Sequence, residues 1–150
     1  MKKIVLVSGA IAGVIVATLM IVTIVIYKKN GNFEGGMIYG YASMILAFSV
    51  ILVGIKNYRD KYNNGLISFG KAFKIGLYIT LIASTIYVIV WLIEFYFFIP
   101  EFIELYVKHS IDKLKAAGAT QVEIAKQTKE MASFSAMYKN PFFNILMTYM

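Results

Sequence analysis

The stretch Ile75–Ile93, IGLYITLIASTIYVIVWLI, contains no charged residue and decides the fold class. As a helix that rises 1.5 Å per residue it is about 28 Å long, close to the ~30 Å hydrocarbon core of a bilayer. Ile4–Tyr27 and Gly35–Ile55 are equally free of charge. A helix satisfies its own backbone hydrogen bonds, which lipid cannot do, so these runs predict membrane-spanning helices. We therefore expect an all-α integral membrane protein.

Residues 1–150 are expected to form a single membrane domain with one polar insertion. The spans are predicted at about residues 4–27, 36–55 and 69–99, the start of a fourth at 141–150, and a polar helical hairpin outside the membrane at about 101–138, between spans three and four. Within the hairpin, Thr120 and Glu123 match a capping box, and Gly118 suits the end of the helix before it. Asn140 and Pro141 suit the cap and first position of a last helix. That helix would reach only about 14 Å, so we expect a fourth span that is cut short.

The first apolar run follows MKK and therefore also resembles a signal peptide. An h-region is usually about 7–15 residues long, and this run is longer. No A-x-A-like cleavage site precedes YKKNGNFEGG, so we expect a retained span. The chain has no cysteine, which excludes disulfides and thiolate chemistry within it.

The formal net charge of +7 comes from Lys and Arg, which in a membrane protein set orientation through their placement and contact anionic lipid. No basic and aromatic interleaving typical of a nucleic-acid surface occurs, so no nucleic-acid partner is expected. Gly54–Gly76 concentrates its cations near two membrane ends, where they weigh most on topology. We therefore predict that this segment and the N-terminus are cytoplasmic and that the hairpin lies on the opposite side.

The basic segment Gly54–Gly76 supports three interpretations. It can serve only as a topology signal, which is the default, contact anionic lipid head groups, or dock a cytoplasmic partner. The candidate head-group contacts are Lys56, Arg59, Lys61, Lys71 and Lys74. Asp60 is the only acid in the segment and is expected to offset part of this charge.

Each predicted span carries a stripe of small residues. Such stripes let helix backbones approach closely in lipid, where hydrophobicity does not drive helices together. The candidate packing positions are Gly9, Gly13, Gly36, Gly40 and Gly76. Packing within one chain is the default, and the alternative is that Gly9 and Gly13 face a second copy or a partner.

Glu94 is the charged residue nearest to the apolar part of a span. It lies about 28 Å from Ile75 along a helix, at the far interface, where Trp91 and Phe95–Phe98 match an aromatic belt. The alternative is a carboxylate that binds a proton or a cation, because charged groups in spans are often functional. His109 is the only histidine and lacks ligands at the spacing of a metal site.

No nucleophile elbow, phosphate-binding loop, zinc-protease motif or dinucleotide fingerprint occurs, so we expect neither an enzyme nor a cofactor. The leading hypothesis is a non-enzymatic interaction or accessory subunit that presents the hairpin to a membrane protein or to a second copy of itself. The alternative is a small transporter, channel, or lipid- or ligand-binding membrane protein, which often has broken helices or ionisable groups near the midplane. An enzyme comes third, because Glu94 has no second catalytic group beside it.

Three segments of the chain resemble a known family. GIKNYRD (Gly54–Asp60), ISFGKAFKIG (Ile67–Gly76) and MYKNP (Met137–Pro141) are similar to a family of small bacterial membrane proteins, domain of unknown function number forty-one ninety-nine. The resemblance covers essentially the whole chain. It implies a protein of the bacterial inner membrane with four spans, the last of which continues in relatives through a full apolar helix. It implies no activity and no site residue.

Overall fold

A computed structural model describes residues 1–30 and 36–150 of the chain, with side-chain environments for 1–29 and 38–150. The regular elements of these residues are α1 (Lys2–Asn30), α2 (Gly36–Tyr62), α3 (Phe69–Ile93), a π-helix (Glu94–Phe98), α4 (Phe102–Ala116), α5 (Gln121–Tyr138) and α6 (Pro141–Tyr149). Within the described ranges every regular element is helical, which confirms the all-α prediction.

Three of the helices are long and apolar enough to cross a membrane. They cover Lys2–Lys29, Ile38–Tyr62 and Phe69–Phe98, with mean hydropathy values of 2.7, 2.1 and 2.1. The three predicted spans are thus confirmed as helices with the length and hydropathy that a membrane crossing requires, which is compatible with a membrane protein. The fourth span, and the position of α4 and α5 outside the membrane, stay predictions.

The chain divides into two compact units, Met1–Val90 and Trp91–Met150. The first unit is built from α1, α2 and most of α3. Its core cluster consists of Val5, Tyr58, Ile75 and Ile79, one or two residues from each helix. Ile75 and Ile79 lie one turn apart on α3 and are both 0% exposed, so this side of α3 faces the other two helices.

Helix α2 extends about two turns beyond the predicted end of its span at Ile55. Residues 56–62 include no Gly or Pro that would break a helix. The chain turns only after Asn63, where Asn64 and Gly65 adopt positive φ values of 52° and 78°. Asn and Gly are the residues that adopt this left-handed conformation most readily. The first half of the basic segment is therefore helix rather than loop.

Span three, predicted as one continuous helix over 69–99, changes its helical pitch near its end. The amide of Ile99 donates to the carbonyl of Glu94 at 2.8 Å, which is the i→i−5 bond of a π-helix. Pro100 follows and has no N–H to continue the ladder. The apolar composition of this stretch gave no sign of the π-turn.

In the second unit, α4 and α5 pack against each other and α5 packs against α6. Gly118, with φ 78°, turns the chain after α4 as predicted. The capping box is confirmed, because the Glu123 amide donates to Thr120 Oγ1 at 3.3 Å and the Thr120 amide donates to Glu123 Oε2 at 2.8 Å. Asn140 caps α6 by accepting from the Phe142 amide at 3.0 Å.

Candidate functional site

The five candidate cations of the basic segment lie on two helix ends. Lys56, Arg59 and Lys61 are on the last two turns of α2, and Lys71 and Lys74 are on the first two turns of α3. Arg59 Nε lies 2.7 Å from Asp60 Oδ1, and both side chains are about two-fifths exposed. An exposed pair of this kind adds little stability, but it does offset one cation, as the sequence suggested.

Lys71 is a cation held in place by its neighbours. Its Nζ donates to Asn63 Oδ1 at 3.1 Å and lies 5.3 Å from the centroid of the Tyr58 ring. Tyr58 is 7% exposed and belongs to the core cluster, so the ring is fixed. The Asn63 amide is fixed in turn, because its Nδ2 donates to the carbonyl of Leu66. The ammonium has three N–H donors and uses one of them on Asn63.

Lys74 has a similar relation to a second tyrosine. Its Nζ lies 5.9 Å from the centroid of the Tyr78 ring, one turn further along α3. A cation over the face of an aromatic ring within about 6 Å is attracted by the ring quadrupole. The two α3 lysines are therefore oriented, whereas Lys61 has no hydrogen-bond or ring partner among the described residues.

Two of the candidate packing glycines lie where α1 meets α3. A Cβ atom on Gly9 would lie 2.7 Å from Ile82 Cβ, and one on Gly13 would lie 2.7 Å from Ile86 Cδ1. Both distances are shorter than carbon atoms tolerate, so these helices approach as closely as only glycine allows. The contact is within one chain, which was the default interpretation.

The remaining candidate glycines differ from this pattern. Gly76 would make only an ordinary contact, 3.4 Å from Ile55 Cδ1, and Gly40 faces open space within the described structure. Gly36 lies outside the residues whose side-chain surroundings are described. Gly54 was not among the packing candidates, yet its Cβ would lie 2.7 Å from Ile79 Cδ1. Its place in a stripe after Ala47 was the available signal.

Glu94 is a buried carboxyl group in the second unit. The residue is 7% exposed, and its Oε2 has no hydrogen-bond partner among the described residues. Buried aromatic rings lie near it, with ring centroids of Trp91 and Phe95 5.8 Å apart and those of Phe95 and Tyr138 5.5 Å apart, while an aromatic belt at the membrane interface stays a prediction. Glu94 follows Trp91 by one helical turn, so it lies beside this cluster rather than in open solvent.

Asn144 is a second buried polar residue that the sequence analysis did not identify. It is 0% exposed, and its Oδ1 accepts from Trp91 Nε1 at 3.1 Å and from Thr148 Oγ1 at 3.2 Å. The indole N–H of Trp91 can only donate, so it fixes which end of the amide is oxygen. Its Nδ2 has no partner among the described residues. A lone Asn inside FFNILM was the available signal, because polar groups in apolar helices are costly and need a reason.

Helix α5 has little of its surface covered. None of its 18 residues is buried, and Val122 in its first turn is 79% exposed. In the ranges that the structure describes, no group of three or more His, Cys, Asp or Glu side chains is placed to hold a metal ion.

A family model described as "Protein of unknown function (DUF4199)" matches residues 8–150, which confirms the resemblance seen in the sequence. No curated protein and no solved structure matches the chain.

Proposed function

The chain belongs to this family of proteins of unknown function, and from its own residues we propose that it is a non-enzymatic interaction or accessory subunit of a membrane assembly. It packs in the membrane through α1, α2 and α3 and offers the α4–α5 helix pair to a partner protein. The membrane is the inner membrane of a bacterium, with the N-terminus in the cytoplasm and the helix pair on the other side.

The exposure of α5 is the observation that carries this proposal. Helices in proteins gain most of their stability from packing an apolar face, and a short isolated helix is marginal in water. Helix α5 has a complete capping box but buries none of its residues. Val122 and Met137 are 79% and 46% exposed, although each could cover apolar surface. A partner that covers these side chains supplies the missing burial.

The proposal is tested by cross-linking in the native membrane. A photoreactive amino acid at Val122 should give one discrete adduct with another protein chain. The matched control is the same amino acid at Leu52, an apolar residue of α2 that is 67% exposed and lies in a predicted span. The photoreactive amino acid at position 52 should cross-link to lipid and give no discrete protein adduct. Mass spectrometry of the gently extracted complex then identifies the partner and its stoichiometry.

Two results contradict the accessory-subunit proposal. One is a Val122 probe that labels only water or lipid while the protein is extracted as an isolated chain. The other is protein adducts of equal variety at Val122 and Leu52, which would indicate random collision. A second copy of the chain as the adduct keeps the interaction function and makes the assembly a homo-oligomer.

A small transporter, channel or ligand-binding protein is the second candidate, and Glu94 favours it. A carboxyl group in a predicted membrane span, buried and with one oxygen that has no hydrogen-bond partner among the described residues, is the kind of group that marks ion and substrate sites. The same mass-spectrometric experiment separates the candidates. A lone chain that carries a stoichiometric small molecule, lost in Glu94→Gln, supports this second function and contradicts the first.

A further inference from the structure

One face of α3 carries cations, then an aromatic ring and then an apolar side chain. A phospholipid has the matching order, with its phosphate first and its acyl chain after it. Lys71, Lys74, Tyr78 and Leu81 follow one another at helical spacings of three and four, so they share a face. The two lysines are exposed, and Tyr78 and Leu81 are 39% and 48% exposed. We call this surface the α3 lipid face.

The length of the α3 lipid face matches one leaflet. From Lys71 to Leu81 the helix rises about 15 Å, half of the ~30 Å hydrocarbon core. The core residues Ile75 and Ile79, which are 0% exposed, lie about a quarter of a turn further round the same helix. The face therefore lies beside the core contact of α3 rather than within it, and its exposed side chains are open to lipid molecules in a membrane.

The two lysines at the N-terminal end of the α3 lipid face are already oriented in the unliganded protein. Lys71 is fixed by Asn63 and by the ring of Tyr58, and Lys74 lies over Tyr78. Fixing a long side chain in advance reduces the conformational entropy that binding would otherwise remove. The Lys71 ammonium keeps two further N–H donors, which suit a phosphate oxygen.

We propose that the α3 lipid face is a binding site for one anionic phospholipid. Its phosphate contacts the ammonium groups of Lys71 and Lys74, and an acyl chain lies along Tyr78 and Leu81. The site is independent of the proposed contact through α5. It also differs from a topology signal, because orientation depends on the number of nearby cations, whereas a site depends on which cation is held and how.

Three variants of the full-length protein separate a site from general charge. Lys71→Gln removes the fixed cation, and Lys61→Gln is the matched control, because it removes the same charge from an exposed position without a partner. Asn63→Ala releases Lys71 without changing the charge. If Lys71→Gln lowers the thermal stability of the protein in detergent, Asn63→Ala still decides the question, because it removes only two exposed hydrogen bonds, those with Lys71 and with the Leu66 carbonyl.

Each variant is reconstituted into vesicles of phosphatidylcholine and phosphatidylglycerol, extracted gently, and analysed by native mass spectrometry. We expect Lys71→Gln to retain about tenfold less phosphatidylglycerol than the wild-type protein, because one hydrogen bond to a charged group contributes about this factor to affinity. Asn63→Ala should lose part of it, and Lys61→Gln should retain it. Equal losses in Lys71→Gln and Lys61→Gln, or full retention in Asn63→Ala, would overturn the proposal.

Inorganic phosphate distinguishes a lipid site from a phosphate site. Excess inorganic phosphate in the extraction buffer should leave phosphatidylglycerol on the wild-type protein, because the free ion lacks the acyl contact with Tyr78 and Leu81. Release of the lipid by inorganic phosphate alone would show an ion site and contradict the assignment of a phospholipid.

Discussion

At the scale of single residues, space and hydrogen bonding explain why particular side chains stand where they do. Gly9 and Gly13 are required because any Cβ atom would collide with Ile82 or Ile86. Gly40 belongs to the same kind of sequence stripe but faces open space. A stripe of small residues therefore predicts close packing only as a tendency. Which of its members is in contact depends on the path of the neighbouring helix.

This difference between glycines gives the first prediction. Gly9→Ala should lower the free energy of unfolding of the detergent-solubilised protein by about 1–3 kcal/mol, the usual cost of overpacking, and with it the unfolding temperature. Gly40→Ala should be neutral or slightly stabilising, because alanine restricts the unfolded chain and meets no atom there. Thermal unfolding of both variants under one condition provides the comparison. Equal stability of the two would show that α1 and α3 do not approach closely at Gly9.

Asn144 gives a second prediction at this scale. The chain has a single tryptophan, so intrinsic fluorescence reports on Trp91 alone. Trp91 is 9% exposed and donates its Nε1–H to Asn144 at 3.1 Å. In Asn144→Ala this buried donor loses its acceptor, which costs about 1–3 kcal/mol, and the surroundings of the ring become wetter. We expect a red-shifted emission and a lower unfolding temperature.

The control for this experiment is Thr148→Val, which removes the other donor to Asn144 Oδ1 and leaves the Trp91 bond in place. Its emission should stay close to that of the wild-type protein. An unchanged emission maximum in Asn144→Ala would contradict the hydrogen bond to Trp91.

At the scale of the elements, the local signals of the sequence were strong at the starts of α5 and α6 and weak at the end of α2 and inside α3. Thr120 with Glu123 and Asn140 with Pro141 predicted two helix starts, because capping involves residues two or three positions apart. The π-turn at Glu94 and the fixation of Lys71 were not predictable in this way. They depend on backbone hydrogen bonding within an apolar run and on a contact between two helices.

The capping box predicts how α5 responds to acid. Hydrogen bonds from the Thr120 amide and hydroxyl lower the pKa of Glu123 below its ordinary value of 4.5. Because the folded pKa lies below the unfolded one, the stabilisation is fully present above the unfolded pKa and is lost as the pH falls through the folded pKa. Amide hydrogen exchange in the first turn of α5 should therefore accelerate, relative to the intrinsic rate, as the pH falls from 4.5 through the lowered pKa of Glu123.

Glu123→Gln is the matched control for this titration. The glutamine keeps a hydrogen-bond acceptor but carries no titratable group. Corrected exchange in its first turn should be independent of pH over the same range. A pH dependence equal to that of the wild-type protein would mean that Glu123 is not the group that titrates.

At the scale of the whole molecule, the sequence was sufficient to predict the fold class but not to predict the biological function. The absence of charge over runs such as Ile75–Ile93 predicted three spans because a bilayer imposes one length and one polarity on any helix that crosses it. Trp91 and Asn144 lie 53 positions apart, and no local pattern predicts that they meet. Function depends on contacts of this kind and on molecules outside the chain.

The orientation of the chain in the membrane is the last prediction, and the protein has a simple route to it because it contains no cysteine. Ser68→Cys places a thiol in the turn between α2 and α3, where serine is exposed. Ala117→Cys places one in the turn after α4 and avoids the positive φ of Gly118, where any side chain is strained. In intact cells the cation density of the basic segment predicts that a membrane-impermeant thiol reagent labels Ala117→Cys and spares Ser68→Cys until the membrane is opened. The reverse pattern would invert the topology and place the α3 lipid face in the outer leaflet. Labelling of both sites in intact cells would contradict a crossing of the membrane between them.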